Sequence, residues 1–519
     1  MMVGKLSRPL AVAASLVVTG GIPMAQATTQ SPANPTLHIG LIQRFGEPDN
    51  SEVKLAAPGG AVLNLQFEGT GGKLETQPSS QVTIRIVNQS LATPEMVQRL
   101  ILSSHKSFES AEASAQAWLA NGIQTEIAQP DEWQVWAKRS AYGSEALGEI
   151  LAAAQAKGIP TVRMFQEERP TQPQLSWVVD DFRYHRRHLT VTSSAGYLRV
   201  GDRTYAGSIT IQPNAYGTYT VINSVPLETY LRGVVPHEVG PNAPDAAMAA
   251  QAILARTYAL KNRHRFQIDG YHLSDDTHTQ VYKGLTETTA RTDAAIQLTR
   301  GQVLTYEGDL IDAVYSSTNG GMAAAFEDIW DGDPRPYLQP NLDIAGQPQK
   351  RDLSQADIFR QFIQQQEGFN ETGVSRLFRW TISQTLDELA EQLRANQDYL
   401  GIPIPVWTDL ANLKVVSRSA SGRVQALQVD LKTADGVHSI TLHKDQIRLG
   451  FRKLYSTMFD VDPIRRNDQL VGFTFVGGGF GHGVGLSQYG SYTLARLGYS
   501  PAQILSFYYP GTTLSRLGS

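Results

Sequence analysis

Gly477-Gly478-Gly479-Phe480-Gly481-His482-Gly483-Val484-Gly485-Leu486-Ser487-Gln488-Tyr489-Gly490 is a nearly bare backbone ribbon that runs into what reads as a helix start. Six of its first nine residues are glycine. Such a ribbon lies close to another backbone or a bulky ligand, and it takes positive φ freely. Ordering it costs conformational entropy, so the fold must gain something specific there. The usual phosphate readings fail. No frame gives G-x-G-x-x-G, and no Gly-Lys-Ser/Thr follows. A second informative stretch, Leu227-Glu228-Thr229-Tyr230-Leu231-Arg232-Gly233-Val234-Val235-Pro236-His237-Glu238, lies some 250 residues upstream.

Between and around these stretches the pattern is mixed. From about residue 187, short alternating runs (Leu189–Val191, Tyr197–Val200, Ser208–Ile211, Tyr219–Ile222) are separated by Gly and Asn turns and read as strands. A helix is expected from Pro244-Asp245 to about Asn262, with Pro in its first turn and an acid at its positive end. Residues 350–400 read as helical and Gln-rich, and residues 412–456 return to strands. Residues 187–519 are therefore expected to form one α+β domain, mixed and two-lobed, with no Rossmann or TIM pattern.

Upstream, residues 81–166 show two similar halves. Val82–Val87 reads as a strand, Ser107–Ala120 as a helix closed by Asn121-Gly122, and Ile123–Ile127 as a strand. Trp133–Ala137, the Ala-rich Glu145–Lys157 closed by Gly158, and Pro160–Met164 repeat that order. The order βαββαβ makes a split-βαβ sheet. In pattern it resembles the SPOR domain, which binds peptidoglycan glycan strands stripped of their peptides; a generic ferredoxin-like module fits the pattern as well. Residues 28–80 read as a tether with short strands, and residues 167–186, polar and bearing Pro170 and Pro173, as a linker.

At 519 residues, two or three domains are expected. Residues 1–27 read as a secretory signal: Lys5 and Arg8, an apolar run Leu10–Thr19, and the Ala25-Gln26-Ala27 cleavage pattern. The run is too short for a folded bilayer span, and no later segment is long and apolar enough. The expected location is periplasm or cell wall. Losing residues 1–27 removes two cations and no acids, so the net charge goes from −4 to −6. Such a balance argues against nucleic acid as the main partner. The chain has no cysteine, hence no disulfide and no thiol chemistry.

Several separate blocks, in order, resemble the SpoIID/LytB family. They are Leu227-Glu228-x-Tyr230-Leu231-x-Gly233-Val234-Val235-Pro236-x-Glu238, then Ala250-Gln251-Ala252-Ile253-x-Ala255-Arg256-Thr257-Tyr258-Ala259. Thr277-His278-Thr279-Gln280-Val281-Tyr282, Ser316-Ser317-x-x-Gly320-Gly321, and Trp330 with Pro336-Tyr337-Leu338 follow. The glycine ribbon with Ser487-Gln488-Tyr489-Gly490, and Ile504-Leu505-x-x-Tyr508-Tyr509-Pro510-Gly511-Thr512, complete the set. One block alone would be weak; their agreement over roughly residues 195–515 is specific.

The resemblance implies peptidoglycan chemistry. SpoIID-type members are lytic transglycosylases acting on peptide-stripped glycan strands. LytB-type members are described as amidase enhancers. The family's general acid falls on Glu238. A non-catalytic enhancer of a cell-wall amidase, and a muramidase-type hydrolase using water, remain as alternatives. The implied partners are glycan strands and a cell-wall amidase.

The residue chemistry agrees on its own terms. Cleaving a glycosidic bond needs an acid to protonate the leaving oxygen. A carboxyl does that near neutral pH if an apolar setting raises its pKa. Glu238 lies between Val234-Val235-Pro236 and Val239-Gly240-Pro241. A transglycosylase needs only this one carboxylate, whereas a hydrolase normally needs a second. A residue that merely caps the following helix is the plain alternative for Glu238. Arg256 reads either as a saccharide ligand or as half of a structural ion pair, and Glu228 as a structural residue. His482 reads either as a groove histidine or as a buried tie of the glycine ribbon. His278, Gln280, Ser317, Asn319, Gln488 and Tyr489 are candidate sugar ligands.

The family usually has Lys where Ala249 stands. Many members carry cysteines, some with zinc, near His278. Asp276 and Thr279 occupy those places, so no metal or other cofactor is expected even though His272, Asp276 and His278 are close in sequence. No G-x-S-x-G and no H-E-x-x-H motif occurs, which disfavours serine hydrolase and zincin chemistry.

Overall fold

A computed structural model describes residues 34–47, 51–69, 71–346, 349–373 and 376–518. The expected signal, residues 1–27, lies outside the described residues. The chain is α+β, as expected. Among the described residues no helix is long and apolar enough to cross a membrane.

Two sheets form the first half. One has seven strands in the order Leu273–Ser274, Thr36–Phe45, Tyr219–Pro226, Ser208–Pro213, Leu189–Ser193, Leu63–Glu68, Leu74–Ser79. The other has eight, built around Gln81–His105. Alternation puts Leu63, Leu65 and Phe67 inward from one sheet and Val82, Ile84, Leu175 and Trp177 from the other, where they share one core.

The expected tether is therefore corrected. Thr36–Phe45 lies inside the seven-stranded sheet, antiparallel to Tyr219–Pro226 and parallel to Leu273–Ser274. The expected linker is corrected too. Arg163–Val179 is one strand along Gln81–His105, and it turns at Asp180-Asp181 into Phe182–Arg186. Both aspartates have positive φ, 49° and 62°, as a two-residue hairpin turn demands. Pro170 is tolerated because the register breaks opposite it, between Ser90 and Glu95.

The βαββαβ order holds. Gln81–His105, Phe108–Ala120, Thr125–Ala128, Trp133–Ala137, Ser144–Ala156 and Arg163–Val179 follow one another. Their antiparallel sheet runs Thr125–Ala128, Trp133–Ala137, Gln81–His105, Arg163–Val179. Ser107 caps the first helix by accepting the Ser110 amide. Helix residues Phe108, Ala111, Leu147 and Ala154 pack on Leu100, Leu102, Trp133 and Val135 of the sheet. The other face of this sheet is not free. Ile101 and Trp136 pack there against Ala215, Tyr216 and Ile268 of the following domain.

The second core surrounds the helix Asp245–Lys261, in which Ala247 to Leu260 are all buried. A mostly apolar helix buried all round belongs in an interior, and its alanines let neighbours approach closely. Leu231, Val234, Val235, Leu304, Ile504 and Leu505 enclose it. The C-terminal half adds a meander, Asp409–Arg418, Val424–Thr433 and Gly436–His443. It also adds a sheet of Arg379–Thr385, Gln469–Gly478 and Phe459–Arg466. The glycine ribbon leaves the end of Gln469–Gly478 and enters the helix Gln488–Arg496.

Candidate active site

Glu238 ends the short helix Val235–Glu238, tucked against the long buried helix. Its Oε1 accepts the backbone amide of Val281 at 2.8 Å, and its Oε2 lies 3.5 Å from Nε2 of Gln488. The Tyr315 hydroxyl also favours its charged form. That hydroxyl accepts Nε2 of Gln280 at 2.9 Å, while Oε1 of Gln280 accepts the Tyr230 hydroxyl at 3.3 Å. A relay Tyr230–Gln280–Tyr315 thus ends on the carboxyl. Burial outweighs these donors and raises the Glu238 pKa to about 6. Glu238 is half-buried as a residue, and the open part faces a cleft of about 610 Å³.

Three parts of the chain line that cleft. Lys106, Phe108 and Trp133 come from the βαββαβ module. Thr277, His278, Val281, Tyr315, Ser317 and Trp330 come from the central domain, and Arg448, Phe480, His482 and Gln488 from the C-terminal part. The module is a wall of the site, not a body at the end of a tether.

The ribbon reaches the cleft by threading between strands. Tyr315–Ser316 pairs in parallel with Leu486–Ser487, and Phe480 exchanges backbone bonds with Thr318. Gly485 has φ 71°, and a Cβ there would lie 2.1 Å from the Val314 carbonyl. His482 both ties the ribbon and lines the cleft. Its Nδ1 accepts the Val484 amide at 3.0 Å, and its ring lies 5.0 Å from Trp330. Burial pushes its pKa down to about 3, so it is neutral at ordinary pH.

Glu238, His278, Ser317, His482 and Gln488 meet in one cleft. Four other candidates do not line it. Arg256 is fully buried and holds Glu228 bidentately, both contacts at 2.8 Å. It also donates to the Gln302 carbonyl at 3.0 Å, so it is a structural clamp. Gln280 is buried one layer below, within the relay. Asn319 is buried, with Nδ2 donating to Asp343 at 3.1 Å and its amide to Glu371 at 2.7 Å. Tyr489 packs on Tyr492, whose hydroxyl donates to the Val239 carbonyl. For Arg256, Gln280 and Asn319 a fixed internal polar partner outcompetes an exposed position.

Sequence reasoning missed Tyr315, the Val281 amide, and the cations Lys106, Arg265, Arg448 and Arg452 that line the cleft. Tyr315 lies directly before Ser316-Ser317, so its place in the sequence could have flagged it; the cations converge only in three dimensions. No group of three or more His, Asp or Glu able to hold a metal occurs among the described residues. His272 instead packs on His38, with ring centroids 4.8 Å apart.

The fold and site define a mixed α+β scaffold with the Glu238 carboxyl facing an open cleft. Residues 215–306 match the family model described as Stage II sporulation protein, and residues 324–485 match one described as a domain of unknown function. The chain is 28% identical over 302 residues to the amidase enhancer of Bacillus subtilis (strain 168), covering 55% of this chain and 40% of that protein. It is 25% identical over 311 residues to stage II sporulation protein D of the same organism, covering 57% and 76%. An uncharacterized protein of Brachyspira hyodysenteriae is 24% identical over 394 residues, covering 75% and 91%. Residues 215–306 are thus similar to the SpoIID family, and the relatives include both a stage II sporulation protein D and an amidase enhancer. The chain spans well under half the length of the amidase enhancer.

Proposed function

We propose that this protein is an exported peptidoglycan lytic transglycosylase that cleaves the MurNAc–GlcNAc bond of peptide-stripped glycan strands. The observation that carries the reading is the Glu238 carboxyl, enclosed at the base of an open cleft with its pKa raised to about 6. Protonated, Glu238 gives its proton to the bridging oxygen as the C1–O bond breaks. The carboxylate left behind is held by the Val281 amide, Gln488 and Tyr315. It then takes the proton of the muramyl 6-hydroxyl as that oxygen bonds C1, which closes the anhydro ring and restores the acid. Acid–base help of this kind is worth about 10²–10⁴-fold. His278, Ser317 and His482 line the path of the strand.

The setting that suits this chemistry is the periplasm or cell wall, in keeping with the expected signal at residues 1–27. A second reading, a non-catalytic glycan binder that stimulates a cell-wall amidase, is favoured by the similarity to the amidase enhancer of Bacillus subtilis. Mass spectrometry of purified glycan strands after incubation separates the readings. Anhydro-muramyl ends made by the wild type and absent with Glu238→Gln support the transglycosylase. New reducing ends support a hydrolase. No cleavage, with stimulation of an added amidase, supports the enhancer and ends the catalytic reading.

A further inference from the structure

Four cations line the Glu238 cleft, and two of them are already matched. Arg265 is paired with Glu109, and Arg452 lies 3.4 Å from Glu132. Lys106 and Arg448 make no ion pair or hydrogen bond with any described residue. The Nε of Arg448 is closed off from solvent and has no hydrogen-bond partner. Asp445 lies in the field of both and Glu132 in that of Lys106, none of them as an ion pair, and Glu109 and Glu238 line the same cleft. The field of Arg448 also reaches His482, the ribbon residue in the same cleft.

These cations come from separate places. Lys106 precedes the first helix of the βαββαβ module, and Arg448 belongs to the short helix Gln446–Gly450. Neither falls within residues 215–306, the stretch matching the Stage II sporulation protein model, whereas Arg448 lies within residues 324–485, which match the domain of unknown function. A guanidinium with an unmet donor in a partly dry cleft is set up for an anion, because a carboxylate takes two of its N–H groups at once. Lys106 adds a point charge.

We propose that Lys106 and Arg448 form a carboxylate subsite beside Glu238, which holds the free lactyl carboxylate of a muramyl residue and so selects strands whose stem peptide is gone. The inference rests on the reading of the cleft as a glycan site. In a peptide-bearing strand that carboxyl is tied up as a neutral amide, and the next carboxylates lie further out along the peptide. The module is then part of substrate selection, through the residue just before the cap of its first helix.

Binding is measured with Glu238→Gln, so that nothing is cleaved. Three glycan oligosaccharides serve as probes: lactyl carboxylate free, lactyl group converted to a carboxamide, and stem peptide attached. The free acid is expected to bind at least tenfold more tightly than the carboxamide, with a margin that shrinks as salt rises. Adding Arg448→Met or Lys106→Met is expected to erase most of that margin and leave carboxamide binding unchanged, whereas Arg448→Lys keeps part of it. Equal binding of acid and amide, which needs no further variant, overturns the proposal. So does an Arg448→Met variant that weakens all three probes alike. A peptide-bearing strand that binds as tightly as the free acid, and loses affinity in Arg448→Met, assigns the cations to peptide carboxylates and overturns the lactyl assignment. Failure of Glu238→Gln to bind any of the three overturns the glycan reading of the cleft itself.

Discussion

The backbone amide of Val281 donates to Oε1 of Glu238 at 2.8 Å, joining the residue that ends one signature block to the loop that carries another. A main-chain donor cannot rotate away, so it fixes the carboxyl in place. It also favours the charged form, and burial still wins. The result is an acid that can exchange its proton near neutral pH.

That balance makes Glu238 a destabilising residue at neutral pH. Its folded pKa, about 6, exceeds the ordinary 4.5, so the native state holds the proton more tightly than the unfolded chain. The corresponding stability is present below about pH 4.5 and is lost as pH rises through 6. Glu238→Gln is therefore expected to unfold about 1–2 kcal/mol harder than wild type at pH 8 and about equally at pH 4, by urea titration. A variant less stable than wild type at both pH values contradicts the buried-acid account.

The rate should follow the same proton. With Glu238 as the acid, kcat/KM is expected to fall about tenfold per unit above roughly pH 6. Tyr315→Phe removes a donor that favours the carboxylate, so the falling limb should move to higher pH. A merely structural role for Tyr315 would lower the rate and leave the limb in place.

Arg256 and Glu228 should behave as one buried unit. Arg256→Met alone leaves a buried carboxylate unmatched and is expected to cost about 3–5 kcal/mol in urea unfolding. The double variant Arg256→Met/Glu228→Gln should recover a large part of that loss. If the single change costs under 1 kcal/mol, or raises KM with stability intact, Arg256 acts on substrate after all.

Gly485 tests the ribbon. With φ at 71° and the Val314 carbonyl 2.1 Å from where a Cβ would lie, Gly485→Ala must displace main chain. An unfolding penalty of at least about 2 kcal/mol, with loss of cleavage, is expected. Near-wild-type stability would mean that the parallel pairing of Tyr315–Ser316 with Leu486–Ser487 does not hold the ribbon.

Local signals carried the parts of the fold that local physics governs. The βαββαβ order was legible from Ser107, Asn121-Gly122 and Gly158, because caps and C-terminal glycines act within a turn of their helix. The helix Asp245–Lys261 was legible within a residue or two for the same reason. Arg163–Val179 was not, because its polar and proline-bearing sequence is a strand only while Gln81–His105 lies beside it. Thr36–Phe45 was underrated likewise, since its partners lie about 180 and 230 residues away.

By itself the sequence determined the family blocks, the apolar frame around Glu238 and the glycine ribbon, all of which follow from residue type and short spacing. Tertiary structure alone decided which polar residues face the cleft. Arg256, Gln280 and Asn319 turned inward to fixed partners and Tyr489 packed on Tyr492, while Lys106 and Arg448 were brought to the Glu238 cleft from distant segments. The reason is physical: hydrogen bonding and burial are settled by neighbours in space, and a side chain's type does not say which neighbour it will find.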